Sequence, residues 1–326
     1  MAGTPVHIRR MRTARLAAGR ISTWFQGLPA TVRGAAYMTG GAFAFTVMMV
    51  LVRHVSASIH PFEAAFFRNL FGLLPFLPWL MRVRSLAFRT RRFGLHAVRA
   101  GFGLTAMLLF FLALSLVPLA EATALTFATP LFATAGAALV LKERVGVRRW
   151  SATLAGFAGV LVILRPGAEV VSTGALAALG AAVFMALAVL CIKALSRTES
   201  PASIVLFFGV LVTPLSLVPA LLVWTTPSPA ILGWCVLMGL AATAGQIMIT
   251  RAFASADASA VLPFDFSRLV FVSVLGMVLF AEMPDVWTYL GAAVIIGATV
   301  YIARREARLG RRATPVALPP PHQPPL

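Results

Sequence analysis

The chain has 326 residues, of which 60% are hydrophobic and only 12% are charged, and its mean hydropathy is +0.89. A soluble globular protein carries about 25% charged residues, so this composition excludes a soluble fold and predicts an integral membrane protein. The formal net charge of +18 would indicate nucleic-acid binding in a soluble protein. Here the arginines lie almost wholly between apolar segments, which predicts no nucleic-acid partner.

The chain begins with a basic segment, residues 1–34, that contains no acidic residue. No compact apolar segment with a cleavage site follows its arginines, which argues against a cleaved signal peptide. The acid-free, Arg-rich pattern also occurs in transit peptides, and we favour a cytoplasmic tail that holds the first helix in orientation. Ten apolar segments come next, and we predict a transmembrane helix for each: 35–53, 62–81, 93–116, 119–141, 148–165, 173–195, 202–223, 230–252, 258–280 and 286–303. The last segment, 304–326, is basic and then Pro-rich, which predicts a second cytoplasmic tail.

The lysines and arginines between the predicted spans indicate an orientation. If the chain crosses the membrane at each span, all of these residues lie on the side of the N-terminus except Arg53 and Arg165. Because short loops rich in lysine and arginine stay in the cytoplasm, the sequence predicts that both termini are cytoplasmic.

One stretch of the sequence occurs twice, at residues 120–165 and again 139 residues later at 259–304. Each copy has an apolar run that ends in a glutamate, a short turn, and a second apolar run rich in Gly and Ala. Five spans per half is an odd number, so the halves have opposite orientations in the membrane. We therefore predict an all-α integral membrane fold, with ten transmembrane helices as two inverted five-helix repeats at 35–165 and 173–303.

The sequence lacks the signatures of several common enzyme classes. GxxxxGK[ST], HExxH and GxSxG are absent, and the histidines form no ligand pair at helical spacing. Cys191 and Cys235 lie singly inside apolar spans, which excludes a disulfide framework. We therefore predict that the protein is not an enzyme and has no catalytic residue, metal or cofactor.

Polar residues inside the spans are the candidates for a solute site, because a charged side chain at the centre of a bilayer costs about 2.5–3.5 kcal/mol. In the second span we select Arg68 and Asn69 as solute-binding residues. They lie about 9 Å along the helix at 1.5 Å per residue. Glu63 precedes Arg68 by five residues, and we expect it to be within reach of Arg68 for an ion pair.

Asp265 and Arg268 lie in the ninth span, three residues apart and hence on one face of a helix. At that depth neither side chain reaches the headgroups easily. One interpretation is a structural ion pair that fixes helix packing. The other is a pair that lines a central cavity and binds a charged or zwitterionic solute. The sequence leaves both interpretations open.

Four more residues are weaker candidates. Thr126 belongs to a row of threonines in the fourth span whose hydroxyls either face a cavity or bond back to their own helix. Gln246 in the eighth span is a candidate for the same cavity. Glu121 and Arg99 are, like Glu63, candidates for an ion pair or for proton coupling. Arg99 is close enough to the cytoplasmic end to reach the headgroups instead, and we favour that interpretation.

The two repeats, the turns LKER and FAEMPD, and the run HPFEAAFFRN resemble the EamA-type members of the drug/metabolite transporter superfamily. The resemblance covers about residues 35–303. It implies secondary transport of a small polar or amphipathic metabolite across the bacterial inner membrane by alternating access, in a monomer or homodimer. Efflux of an amino-acid-like solute is the first expectation, and import of a cofactor-like metabolite such as S-adenosylmethionine or riboflavin is the alternative.

Two other classes of membrane protein are weaker alternatives. A membrane-embedded enzyme would need a nucleophile–base pair or a metal cluster, and the spans offer neither. A passive channel would show conductance without saturation.

Overall fold

The computed structural model of the protein describes residues 26–76, 90–139, 146–165, 171–195, 198–199, 201–256 and 258–312. These residues form α-helices, which we number in chain order: α1 Ala30–Val55, α2 Pro61–Gly72, α3 Phe93–Leu116, α4 Leu119–Thr126, α5 Thr129–Leu139, α6 Val147–Leu164, α7 Thr173–Leu195, α8 Pro201–Leu221, α9 Pro229–Ser255, α10 Ala258–Asp265, α11 Ser267–Phe280 and α12 Val286–Arg312. A short 3-10 helix, Leu74–Phe76, follows α2.

The helices have the length and apolarity of membrane spans. Six stretches of the described chain are long and apolar enough to cross a bilayer: Ala30–Val55, Phe93–Leu116, Leu119–Leu139, Thr173–Leu195, Pro229–Ser255 and Val261–Phe280. Shorter apolar helices cover Trp150–Leu164, Phe207–Leu221 and Val286–Tyr301. The prediction of an all-α integral membrane protein is confirmed.

Two helices differ in length from the predicted spans. α2 ends at Gly72 after 12 residues, which is about 18 Å and too short to cross the membrane alone. Pro75 explains this end, because its nitrogen has no hydrogen to donate to the carbonyl of Phe71, four residues earlier. Residues 77–81 of the predicted span lie outside the described residues. In the other direction, α12 continues to Arg312 instead of ending at 303.

The fourth and ninth predicted spans are each broken near the middle. The fourth consists of α4 and α5, with the break at Phe127, and the ninth consists of α10 and α11, with the break at Phe266. Pro130 accounts for the first break, since its nitrogen cannot donate to the carbonyl of Thr126. The hydroxyl of Thr129 donates to that carbonyl instead, at 2.7 Å.

The second break has the same hydroxyl chemistry. Ser267 donates its hydroxyl to the carbonyl of Phe264 at 2.7 Å. Pro263 lies inside α10 and removes one more hydrogen bond from that helix. Both broken helices therefore rely on side-chain hydroxyls to satisfy the carbonyls that the break leaves free.

The two halves of the chain pack against each other through pairs of equivalent contacts. α1 packs along α9, and α7, which is the first helix of the second half, packs along α3. In the same way α2 crosses α8, and α6 packs along α12. Each pair joins one helix of the first half to one of the second, so the main interface of the bundle lies between the halves.

Glycine residues let these helices approach closely. A Cβ on Gly41 of α1 would lie 3.2 Å from the carbonyl oxygen of Gly245 in α9, and one on Gly159 of α6 would lie 2.8 Å from that of Gly291 in α12. Contacts between small residues are what hold helices together in lipid, where neighbouring tails are as apolar as leucine. α1 also contacts α10 and α11, and α12 contacts α4, so these interfaces adjoin both helix breaks.

Candidate transport site

The two helix breaks meet in the interior of the bundle. Phe266 lies 139 residues after Phe127, so the two residues occupy equivalent positions in the repeat. Their rings contact edge to face, with centroids 4.9 Å apart and planes at 82°. Phe127 is buried and Phe266 is half-buried. The contact brings equivalent points of the two halves side by side.

A charged pair flanks the second break. Asp265 is the last residue of α10 and Arg268 is the second residue of α11, and Arg268 Nη2 donates to Asp265 Oδ1. The sequence-based expectation of one uninterrupted helical face is corrected, because the pair bridges the break at Phe266. Both side chains are partly exposed, Arg268 at 18% and Asp265 at 24%.

The two helix termini at the break are unfavourable positions for these two charges. A carboxylate at a helix C-terminus and a cation at a helix N-terminus each oppose the helix dipole, by about 0.3–1 kcal/mol. Capping therefore does not explain Asp265 or Arg268. The Arg268 guanidinium also lies over the ring of Phe45 in α1, with Cζ 5.4 Å from the centroid. Its Nε has no hydrogen-bond partner, so the side chain keeps an unused donor beside an aromatic ring.

A second cation lies where α2 crosses α8. Arg68 Nη1 donates to Asn69 Oδ1 at 2.8 Å, and Asn69 Nδ2 donates to Ser216 Oγ at 3.2 Å. Arg68 Nη1 also lies 4.0 Å from the sulfur of Met107, and Arg68 Nε is buried without a partner. No carboxylate of the described residues forms an ion pair with Arg68. Neutral groups therefore hold this cation.

Glu63 does not pair with Arg68, contrary to the expectation from sequence. It is completely buried in the first turn of α2. Its Oε1 accepts the backbone N–H and the hydroxyl of Thr225, at 2.9 and 3.0 Å. The reason is geometric, because residues three or four apart share a helix face and residues five apart do not. The second oxygen, Oε2, has no hydrogen-bond partner.

The threonine row of the fourth span bonds back to its own helix. Thr123, Thr126 and Thr129 each donate to a carbonyl three or four residues earlier, at 2.7–2.8 Å. Thr126 is half-buried beside the first break and offers a solute only its hydroxyl lone pairs. Gln246 is exposed on α9. Glu121 is half-buried in the first turn of α4, where a helix N-terminus favours a carboxylate.

Arg99 packs against α8. Its Cζ lies 3.8 Å from the centroid of the Phe208 ring, and its Nε and Nη1 are buried without partners. This contact corrects the interpretation that the side chain reaches the headgroups, because two of its three nitrogens are buried. One turn earlier, His96 is buried and its ring lies 4.4 Å from that of Phe207.

Sequence reasoning missed Phe45, Phe127 and Phe266 as site residues. The repeat carried a signal for two of them, since Phe127 and Phe266 are identical residues at equivalent positions. Phe45 had no such signal, because its contact with Arg268 joins α1 to a helix far along the chain. Within the described part of the chain, no group of three or more His, Cys, Asp or Glu residues is placed to hold a metal ion.

The sequence matches known transporters along most of its length. The model of the EamA-like transporter family matches residues 32–165 and 172–304. The chain is 33% identical to the riboflavin transporter of Vibrio cholerae, over 88% of this chain and 98% of the other. It is 29% identical to the S-adenosylmethionine uptake transporter of Rickettsia prowazekii, over 79% and 88%, and 31% identical to the pseudopaline exporter CntI of Pseudomonas aeruginosa, over 81% and 94%.

Proposed function

Because this chain belongs to the EamA-like transporter family, we propose that it moves a small metabolite with a planar ring system across the bacterial inner membrane by alternating access. The aromatic cluster at the helix breaks carries the proposal. Phe127 and Phe266 meet there, and Phe45 lies beneath the Arg268 guanidinium. Aromatic side chains bind planar rings by stacking, and the arginine supplies directed hydrogen-bond donors at the edge.

The symmetric packing of helices between the two halves supports alternating access. The α1–α9 and α7–α3 pairs are equivalent under the repeat. In transporters with inverted repeats, the solute site lies between the repeats and broken helices supply free backbone groups to it. The breaks at Phe127 and Phe266 likewise meet between the two halves, where side-chain hydroxyls bond the carbonyls at each break. Rocking of one half against the other would expose the site to each side of the membrane in turn.

Export of an amino-acid-like solute is the second candidate function. The observation that favours it is Arg68, a cation in α2 held by Asn69 and Met107 and paired with no described carboxylate. A guanidinium in this state fits the carboxylate of an amino-acid-like solute. One of the relatives is named as an exporter, so the direction of transport is part of the test.

Riboflavin is the first solute to measure, since a relative is named for it. We expect purified protein in liposomes to move labelled riboflavin with saturation. The Phe266→Leu variant is expected to raise the KM about tenfold, because stacking of a base on an aromatic side chain contributes about 1–3 kcal/mol. Movement of an amino-acid-like solute and not of riboflavin would favour the second candidate. Flux proportional to concentration without saturation would contradict a transporter and indicate a channel.

We also propose that both termini face the cytoplasm. Val147 at the start of α6 and Ser228 at the start of α9 are exposed. They lie at opposite ends of the bundle, because the start of α9 and the end of α6 both lie near the end of α1. In a variant with Cys191 and Cys235 replaced by alanine, a cysteine at Val147 is expected to be labelled only from the cytoplasm and one at Ser228 only from outside. Labelling of both cysteines from the same side of intact cells and inverted vesicles would contradict this orientation.

A further inference from the structure

Two arginines of the first half contact the turn between α11 and α12 at one end of the bundle. Arg53 Nη2 lies 3.0 Å from Glu282 Oε1, and Arg165 Nη2 lies 2.7 Å from Asp285 Oδ2. We call this end, defined by Arg53, Arg165 and residues 281–285, the Arg53 end. Both pairs cross from one half of the chain to the other.

The Arg53–Glu282 pair also satisfies the backbone between α3 and α4. Arg53 Nη1 donates to the carbonyls of Leu114 and Val117, at 2.8 and 3.3 Å. Glu282 Oε2 accepts the backbone N–H of Leu119 at 2.8 Å. These backbone groups lie at helix ends, where the helix itself offers no partner. Separating the pair would leave them unpaired unless water replaced both side chains.

The turn after α11 fits Glu282 closely. A Cβ on Gly276 would lie 3.2 Å from Glu282 Oε2, so a larger residue there would displace the carboxylate. Ala281, immediately before it, has a φ of 53°, a left-handed conformation that residues with a Cβ rarely adopt. The turn therefore directs Glu282 toward α1 and α4.

The two ion pairs differ in how deeply they are buried. The side chains of Arg53 and Glu282 are 25% and 9% exposed, whereas those of Arg165 and Asp285 are 28% and 42% exposed. Exposed ion pairs contribute little because water and salt screen them. Arg53–Glu282 is the pair whose separation has a large energetic consequence.

We propose that Arg53 and Glu282 are the gate that closes the transport pathway at the Arg53 end. The inference rests on the proposed alternating-access function. In the state described here the pair and its three backbone contacts join α1, the α3–α4 junction and the α11–α12 turn across the two halves. When the halves move apart at this end, the pair separates and water takes over the backbone contacts. The closed and open states therefore differ in hydration of the α3–α4 junction.

Accessibility of a cysteine just inside the gate tests the proposal. Thr123 is completely buried, one turn inside Leu119, and its hydroxyl lies 3.8 Å from the sulfur of Met49 in α1. We place a cysteine there by Thr123→Cys, with Cys191 and Cys235 replaced by alanine, and apply a membrane-impermeant maleimide from each side of the membrane. Arg53→Ala and Glu282→Ala are each expected to speed labelling from the Arg53 end about tenfold or more, by shifting the population toward the open state.

The double variant and a matched control decide the interpretation. Arg53→Ala/Glu282→Ala is expected to label within about twofold of either single variant, since residues that act as one unit are not additive. Arg165→Ala, which removes the exposed pair, is expected to change the rate by less than about twofold. Unchanged labelling in both single variants would overturn the gate, as would a double variant whose effect is the product of the two.

Folding and function are separated within the same experiment. Faster labelling confined to one side indicates an open gate, whereas a misfolded variant labels equally from both sides. Glu282→Gln keeps an acceptor for Leu119 and removes the charge, so an intermediate labelling rate is expected from a folded protein. No solute is present during labelling, so failure of riboflavin transport would contradict the proposed function and leave this measurement unaffected.

Discussion

Arg268→Lys is expected to lower the initial rate of transport about tenfold or more, with the amount of protein in the membrane unchanged. Lysine keeps the charge but loses the planar fork that contacts Asp265 and lies over Phe45. A hydrogen bond to a charged group contributes about 1.5–3 kcal/mol, and 1.4 kcal/mol corresponds to a factor of about ten. The measurement is solute flux in liposomes at a fixed protein-to-lipid ratio.

A matched variant controls for the chemistry of the substitution. Arg251 on α9 also lies over an aromatic ring, that of Tyr37 at 5.9 Å, but it is exposed, and Tyr37 precedes Phe45 by eight residues in α1. Arg251→Lys is expected to leave transport within about twofold of the parent. A loss of transport of the same size in both variants would mean that any arginine-to-lysine change lowers transport, and that the loss is not specific to the site.

The double replacement Asp265→Leu/Arg268→Met distinguishes the two interpretations of the charged pair. Replacing a buried ion pair by apolar residues of similar size is often neutral or stabilising. If the pair only fixed helix packing, the double variant would transport normally. We expect it to insert normally and to lose transport, because the pair is partly exposed and opposes the helix dipoles at the break.

The sequence predicted the features that depend on composition and periodicity. A charged content of only 12% in 326 residues predicts membrane helices, and the apolar segments predict where they lie. The break at Phe127 had a visible cause in Pro130. The break at Phe266 did not follow in the same way, because Pro263 lies inside α10 and α11 continues the apolar run.

Contacts between helices that are distant in the chain could not be predicted from the periodicity of the sequence. Glu63 pairs with Thr225, 162 positions along the chain, because the connection after α8 folds over the start of α2. The five-residue spacing disfavours an ion pair with Arg68, but nothing local indicates Thr225 as the partner. The pairing of Arg53 with Glu282 has the same origin, since each lies at the end of a span and their contact depends on how the halves pack.

Arg68→Met is the second substitution with a large expected effect, and this effect depends on the solute. Arg68 is held by Asn69 and Met107 and has no carboxylate partner among the described residues. If it binds a solute carboxylate, the KM for an amino-acid-like solute rises about tenfold or more, since hydrogen bonds to charged groups contribute about 1.5–3 kcal/mol. Riboflavin carries no charge at neutral pH. Its KM is therefore expected to change less than about threefold, which corresponds to a free-energy change below about 0.65 kcal/mol.

Ser216→Ala provides the structural comparison. Ser216 accepts from Asn69 Nδ2 and donates to the carbonyl of Thr213, and it is completely buried. Its loss leaves Asn69 with an unpaired buried donor, which costs about 1–3 kcal/mol of stability. We expect a lower melting temperature for the purified protein and an unchanged preference between solutes.

Stability and specificity together decide what Arg68 does. Methionine removes a half-buried cation that has no countercharge but leaves Asn69 Oδ1 without its donor, so we expect the two effects to offset and the melting temperature to stay near that of the parent. A solute site predicts this unchanged stability together with a selective loss of carboxylate-bearing solutes. A structural role at the α2–α8 crossing predicts the opposite pattern, with lower stability, as in Ser216→Ala, and no change in solute preference. Initial rates for both solutes and melting curves from one preparation of each variant distinguish the two, because a packing defect would not raise the KM for one solute while leaving the KM for the other and the melting temperature unchanged.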